Sequence, residues 1–327
     1  MSGYDVIGDV HGMATLLEER LTSLGYSAES GVYSHPERTA VFVGDLIDRG
    51  GEQLRTLELV KAMVDAGSAQ IVMGNHEFNA ICWATRDPKT GKPLRQHSDH
   101  NRAQHKEFLA LPAQDQARWV EWFKTLPLWL DLTTIRVIHA CWHQASIDVV
   151  RAVTGGSERL SKVDHFVDAT TFGSALHDAV EVLLKGPEIA LRDYDMASYW
   201  DAEAGKSREK ARIKWWDHDA STLPALAELG AAKLKDGGRY PDYEPREVDP
   251  KHLDYVYKDT IPLFYGHYWR EWEPVARDDW TSYTACVDFS AVRGGTLVAY
   301  RYSGENEIRL EHYVPHTADI VAQRASD

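Results

Sequence analysis

Short apolar runs alternate with stretches of helical period through the first 80 residues. Tyr4 to Ile7 is apolar and stops at Gly8-Asp9, and Met13, Leu16, Leu17, Leu21 and Leu24 then recur at helical spacing before Gly25. Ala40 to Val43 ends at Gly44-Asp45, and Leu54, Leu57, Val60 and Val64 mark a second helix before Gly67. Ile71 to Met73 ends at Gly74-Asn75-His76. Alternating strands and helices imply parallel pairing through right-handed crossovers. The three glycine-led loops then share the carboxyl edge of one sheet, where open α/β folds hold ligands.

The pattern is less regular further on. Residues 84–125 are polar, with a helical pattern from Arg118 to Leu126; Ile135 to Ile138 is another apolar strand, ending at His139. Residues 146–260 mix helical patches with Trp200, Trp215 and Trp216 and a polar Gly/Pro-rich stretch, and are expected to be an insertion or cap on one domain spanning 1–327. Leu263 to Tyr265 leads into Gly266-His267, and residues 282–313 read as consecutive antiparallel strands turned at Gly294-Gly295 and Gly304.

Composition narrows the class. The chain has 327 residues, 43% of them hydrophobic, with 36 Lys/Arg against 50 Asp/Glu and a formal charge of −14. So acidic a chain, without a basic block, is not expected to bind a nucleic-acid backbone. Its apolar runs fall far short of the ~20 residues that span a bilayer, and no charged-then-apolar leader opens it. Cys82, Cys141 and Cys286 are too few for a disulfide framework, so a cytoplasmic protein with reduced thiols is expected.

Five strand ends finish in side chains that ligate metals: Asp9 and His11, Asp45, Asn75, His139, and His267. One Asp-x-His could be a turn former, but five successive strand ends agree with one another. Carboxylates, imidazoles and an amide oxygen without thiolate suit manganese, iron or zinc in a reactive site. Six ligands exceed what one open catalytic ion needs, and they suffice for two ions if one carboxylate bridges. Two cations about 3.5–4 Å apart clamp an in-line displacement at phosphorus and ionise a shared water near neutral pH.

The blocks Gly8-Asp9-Val10-His11-Gly12, Gly44-Asp45-Leu46-Ile47-Asp48-Arg49-Gly50 and Gly74-Asn75-His76-Glu77 resemble the signature motifs of the calcineurin-like metallophosphoesterases. The Asp48-Arg49-Gly50 ending is similar to the phosphoprotein phosphatase branch, which also holds diadenosine-tetraphosphatase relatives. Cys286-Val287-Asp288, Ala291-Val292-Arg293-Gly294-Gly295 and Leu297 resemble its strand-turn-strand close. The resemblance implies a four-layer α-β-β-α sandwich of two mixed sheets flanked by helices. It also implies that Asp9, His11 and Asp45 hold one ion, that Asp45 bridges, and that Asn75, His139 and His267 complete the second site. His76 is then the general acid, oriented by Asp48, and Arg49 the phosphate clamp. Chemistry agrees: a histidine can protonate a leaving alkoxide near pH 7, and a guanidinium offers a planar fork to phosphoryl oxygens.

The sequence departs from this branch at Gly51, where proline is usual, and at Ala140-Cys141-Trp142-His143 after the metal histidine, where a small-residue turn is usual. A second phosphate-binding arginine falls in the unmatched region, with Arg212 and Arg239 as candidates. His97, His100 and His105 read as an exposed loop, Cys141 as a buried hydrophobe, and Glu77 as a supporting residue at a helix start. Trp142, Trp215 or Trp269 is a candidate stacking platform for a nucleoside.

The expected activity is hydrolysis of phosphomonoesters with two divalent ions, manganese first and iron or zinc as alternatives. The substrate is a phosphorylated small molecule, a nucleotide or a phosphoprotein. A serine/threonine protein phosphatase, a dinucleoside polyphosphate hydrolase and a small-molecule or cyclic-nucleotide phosphodiesterase compete within that chemistry. A catalytically inactive binding protein on the same fold is the contrasting class; a degenerate member should have lost a ligand or the acid, and here every position is filled.

Overall fold

The structure is a computed structural model. It describes residues 3–315 apart from 202–204, 230–231, 239 and 241–246. Nine strands build two sheets: β1 (Gly3–Ile7), β2 (Arg38–Phe42), β3 (Ala69–Ile71), β4 (Trp129–Asp131), β5 (Arg136–Ile138), β6 (Leu263–Tyr265), β7 (Thr284–Cys286), β8 (Ala299–Tyr302) and β9 (Tyr313–Val314). The first sheet runs β9-β8-β1-β2-β3 and the second β7-β6-β5-β4. Pairings β1–β2, β2–β3, β5–β6 and β6–β7 are parallel, whereas β1–β8, β8–β9 and β4–β5 are antiparallel, so both sheets are mixed.

Alternation of side chains sorts these strands into layers. Val6, Val41, Val137, Phe264 and Ala285 belong to one buried cluster between the sheets. Their chain neighbours Ile7, Phe42, Ile138, Leu263 and Tyr265 belong to another, with helix residues such as Leu17, Leu57, Ile147 and Leu183. Strands covered on both faces read as unbroken apolar runs, which is why they were legible. Helices α1 (Ala14–Ser23) and α2 (Gln53–Asp65) supply Leu17 and Leu57; the later helices Gln144–Thr154 and Ala175–Lys185 supply Ile147 and Leu183. This is the four-layer calcineurin-like arrangement of mixed sheets and helices.

Register sets the position of the site. Ile7 lies opposite Phe42 and Phe42 opposite Ile71, so three strands end level and their loops leave from one edge. In the second sheet Phe264 lies opposite Val137, and the Gly266 amide donates to the His139 carbonyl at 2.9 Å, so those two strand ends also meet.

One expectation about this region needs correction. Residues 282–313 are not a run of antiparallel strands: β7 pairs parallel with β6 in the second sheet, and only then does the chain cross to β8 in the first. A two-residue hairpin, Asp288–Phe289 with Thr296–Leu297, makes that crossing. Glycine turns marked the hairpin but carried no information about which sheet β7 joins.

Phe264 is fully buried between the sheets, its ring 4.8 Å from that of Tyr300. Phe264→Ala is expected to lower unfolding free energy by about 3–5 kcal/mol, read from denaturant titration; a loss below about 1 kcal/mol would contradict this layering.

Candidate active site

The loops leaving the sheet edge are held in conformations that side chains resist. Ten described non-glycine residues have positive φ, and six of them are here: His11, Asp45, Asp48, Arg49, His267 and Trp269. Such residues persist only where surrounding contacts over-determine them. One buried carboxylate does much of that. Glu77, in the first turn of the helix Asn75–Ala84, accepts the amides of Asp45 at 2.9 Å, Leu46 at 2.8 Å and Gly74 at 2.9 Å, binding the second loop to the third. Burial, then the charge of Asp45, pushes its carboxyl upward against those donors. The Asp45 carbonyl in turn accepts the amides of Val10 and His11 from the first loop.

Asp45 is the hub of the side chains. Its Oδ2 lies 3.6 Å from His11 Nε2, its Oδ1 lies 3.5 Å from His139 Nε2, and Oδ1 also accepts the His76 amide at 2.9 Å. Two groups of donor atoms result, His11-Asp45-His76 and Asp45-His139-His267, sharing Asp45. Asn75 Oδ1 sits 3.0 Å from His139 Nε2 and 2.9 Å from His267 Nδ1. Asp9 is less centrally placed, its carboxylate accepting the His267 amide at 3.2 Å. Glycine is required beside it: a Cβ on Gly266 would lie 2.1 Å from Asp9 Oδ1. All six residues expected as metal ligands therefore come to one edge.

The donor set fits divalent cations. His11 Nδ1 donates to the Ile47 carbonyl and His139 Nδ1 to that of Val43, each at 2.8 Å. A carbonyl only accepts, so each Nδ1 carries a proton and each Nε2 is turned toward the cluster, the orientation in which a histidine ligates a metal. His11 Nε2 is buried with no hydrogen-bond partner. Burial holds His11 neutral, with its pKa lowered to about 3. Burial, followed by repulsion from Asp288 and Asp45, pushes Asp9 upward. Imidazole nitrogens, carboxylates and an amide oxygen thus converge, a donor set that a divalent cation satisfies.

The proton-handling groups adjoin this cluster. His76 Nδ1 lies 2.6 Å from Asp48 Oδ2, and Asp48 Oδ1 is 2.7 Å from His105 Nδ1. Burial would raise the Asp48 carboxyl, but the hydrogen bonds from His105 and His76 outweigh it and hold it at about 2. Burial lowers the His76 pKa, and the carboxylates of Asp45 and Asp48 more than reverse this. His105 is thus not part of an exposed loop as expected: it is buried, whereas His97 and His100 are exposed. Its signal was the spacing to Phe108: His105 caps the short helix Lys106–Leu109 and shares its buried side with Phe108.

Arg49 projects beside His76, with Nη2 3.5 Å from His76 Nε2. The guanidinium carbons of Arg49 and Arg293 lie 3.6 and 3.7 Å from the ring centroid of Trp269. Asp288 fixes that segment by accepting the Trp269 amide at 2.8 Å. Arg293 and Asp288 stood in a block read only as the close of the fold. A cavity of about 1190 Å³ opens over the site and is lined by Asp45, Arg49, His76, Arg212, His267 and Trp269 among others. Arg212 makes no ion pair among the described residues, and after burial it is the largest influence lowering the His267 pKa. Arg239 lies outside the described residues.

Trp215 is fully buried and donates to the Tyr268 hydroxyl at 2.8 Å, and Trp142 is buried beneath Arg136, so of the three stacking candidates only Trp269 lines the cavity. Cys141 is fully buried and burial pushes its thiol up, as befits a small hydrophobe. Among the described residues no helix is long and apolar enough to cross a membrane.

Residues 4–268 match the calcineurin-like phosphoesterase family, and the chain belongs to it. It is 34% identical over 139 residues to the asymmetrical bis(5'-nucleosyl)-tetraphosphatase PrpE of Oceanobacillus iheyensis, covering 42% of this chain and 54% of that one. The counterpart from Halalkalibacterium halodurans is 47% identical over 74 residues, 22% of this chain and 30% of its own. The chain thus spans about half or less of the length of these relatives. A serine/threonine phosphatase structure from Saccharomyces cerevisiae superposes with a TM-score of 0.47 at 14% identity, covering 96% of this chain and 78% of that one.

Glu77→Ala would strand three buried backbone donors, each costing about 1–3 kcal/mol. Thermal melting should show a loss of several kcal/mol, with Glu77→Gln, which keeps one acceptor oxygen, falling between it and wild type. A Glu77→Ala protein as stable as wild type would contradict the bracing role.

Proposed function

We propose that this protein is a dinuclear-metal phosphoesterase acting on phosphomonoesters, among them phosphoserine or phosphothreonine in proteins. The observation that carries this is Asp45, set between two groups of imidazoles, with His76, itself paired to Asp48, facing the same cavity. Asp9, His11 and Asp45 would hold one divalent ion, and Asp45, Asn75, His139 and His267 the other. Manganese is the first choice, with iron or zinc as alternatives. When bound, the pair supplies Lewis acidity and a water that ionises near neutral pH.

The side chains do the rest. Arg49, joined by Arg212, grips phosphoryl oxygens, orienting the ester and offsetting charge that develops in the transition state. His76 gives its Nε2 proton to the leaving oxygen as the P–O bond breaks. Asp48 keeps that ring protonated at Nδ1 and stabilises the imidazolium, so His76 serves as acid rather than as ligand. His105 fixes Asp48 from its other oxygen. The same proposal takes residues 146–260 as an insertion or cap on a single domain and places the protein in the cytoplasm, in keeping with three free, buried cysteines.

A second reading is hydrolysis of a dinucleoside polyphosphate. It is favoured by the relatives' bis(5'-nucleosyl)-tetraphosphatase activity and by a cavity far larger than one phosphoryl group fills.

Manganese should restore phosphomonoesterase activity to a chelator-stripped sample, and full activity in the stripped sample would refute the proposal. Asp45→Asn is expected to lose both ions together on metal analysis; two tightly held ions in that variant would contradict the bridge. His76→Asn should keep its metals and lose about 10²–10⁴-fold in turnover with a poor leaving group. Undiminished turnover there would overturn its role as acid.

A further inference from the structure

Residues 206–212 read Lys-Ser-Arg-Glu-Lys-Ala-Arg, with a cation at every second position. Lys206–Arg208 and Lys210–Arg212 are short strands, paired with Tyr199–Asp201 and Glu188–Ala190. Side chains alternate along a strand, so Lys206 and Arg208 share one side of the first and Lys210 and Arg212 one side of the second, with a bend at Glu209 between them; Ala211 and Ile213 are buried. Lys206, Arg208, Lys210 and Arg212 all line the cavity above Asp45 and His76. Six extended steps of ~3.3 Å give this row a length of at most about 20 Å, with its Arg212 end beside His267.

The cavity reverses the charge of the chain. Its lining has eight Lys or Arg and four Asp or Glu, whereas the whole chain has 36 and 50. Part of the row is neutralised: Arg208 is 2.7 Å from Asp201, and Lys210 is 3.6 Å from Glu188. Lys206 and Arg212 have no carboxylate partner among the described residues. A single phosphomonoester engaged at Arg49 and Arg212 leaves Lys206, Arg208 and Lys210 unused.

We propose that this row is a specificity site for a chain of linked phosphates, so that the substrate class is an oligophosphate, inorganic or nucleotide-borne. The inference rests on the metal-hydrolase chemistry proposed above and extends its second reading, in which the phosphoryl group cleaved is one of a linked chain. One phosphoryl group sits at Asp45 and His76, and the others lie along Arg212, Lys210, Arg208 and Lys206. A phosphate chain presents acceptor oxygens along its whole length to such a row. An acidic peptide would instead turn backbone amides and half its side chains toward the cations.

The test compares wild type with Lys206→Gln/Lys210→Gln; both lysines are exposed, so the fold should tolerate the change. With manganese present, kcat/KM for inorganic tripolyphosphate and for diadenosine tetraphosphate is expected to fall at least about fivefold, mainly through KM, and more steeply at low salt. That for β-glycerol phosphate should change by less than about twofold, since one phosphate does not reach the lysines. Chelation of manganese by tripolyphosphate is common to both proteins and cancels in the comparison. An equal fall on all three substrates, no fall on either oligophosphate, or a fall confined to an acid-flanked phosphopeptide would overturn the row as an oligophosphate site. Direct titration with tripolyphosphate separates the two claims. Binding weakened in the variant, with no turnover of any substrate by wild type, would sink the hydrolase reading and leave the row standing.

Discussion

Too many electron-pair donors meet at one sheet edge for the protein to satisfy alone, and that conflict organises the site. The two oxygens of Asp45 face His11 and His139, whose outward nitrogens are committed to backbone carbonyls and whose inward nitrogens are turned to the cluster. Asn75 adds an amide oxygen between that His139 nitrogen and one of His267, and Asp9 and Asp288 add like charges behind. Removing such groups from water without a compensating positive charge is costly. The fold accepts that cost because cations are the missing partners.

The same edge shows how the chain resists relaxing. A single carboxylate, Glu77, collects three amides from two loops, and Asp48 accepts from two histidines on different segments. These contacts hold left-handed backbone at Asp45, Asp48 and Arg49, which ordinary residues avoid. Strain of this kind, concentrated where the reactive side chains are, fixes their directions before any ligand arrives. The metal-facing set and the proton-handling set are thus parts of one hydrogen-bonded unit.

Much of this was readable from the chain alone. Doubly covered parallel strands give continuous apolar runs, and a glycine marks a sharp turn before Asp9, Asp45, Asn75 and His267, so these strand ends, and that of His139 after its apolar run, stood out locally. Contacts between distant segments left no such mark. His105 lies in a polar stretch and meets Asp48 of the second loop only through a contact 57 residues apart in sequence. Residues 284–286 join the second sheet rather than a hairpin ladder, a choice made by long-range pairing. The cationic alternation from Lys206 to Arg212 takes meaning only from the cavity it lines, far along the chain from the first three loops; of the row, the sequence reading singled out Arg212 alone.

Anomalous diffraction from crystals grown with manganese addresses the centre of this account most directly. Two peaks are expected, one on each side of the Asp45 carboxylate, the first against His11 and the second against His139 and His267. A single peak, or peaks that leave Asp45 unligated, would contradict it.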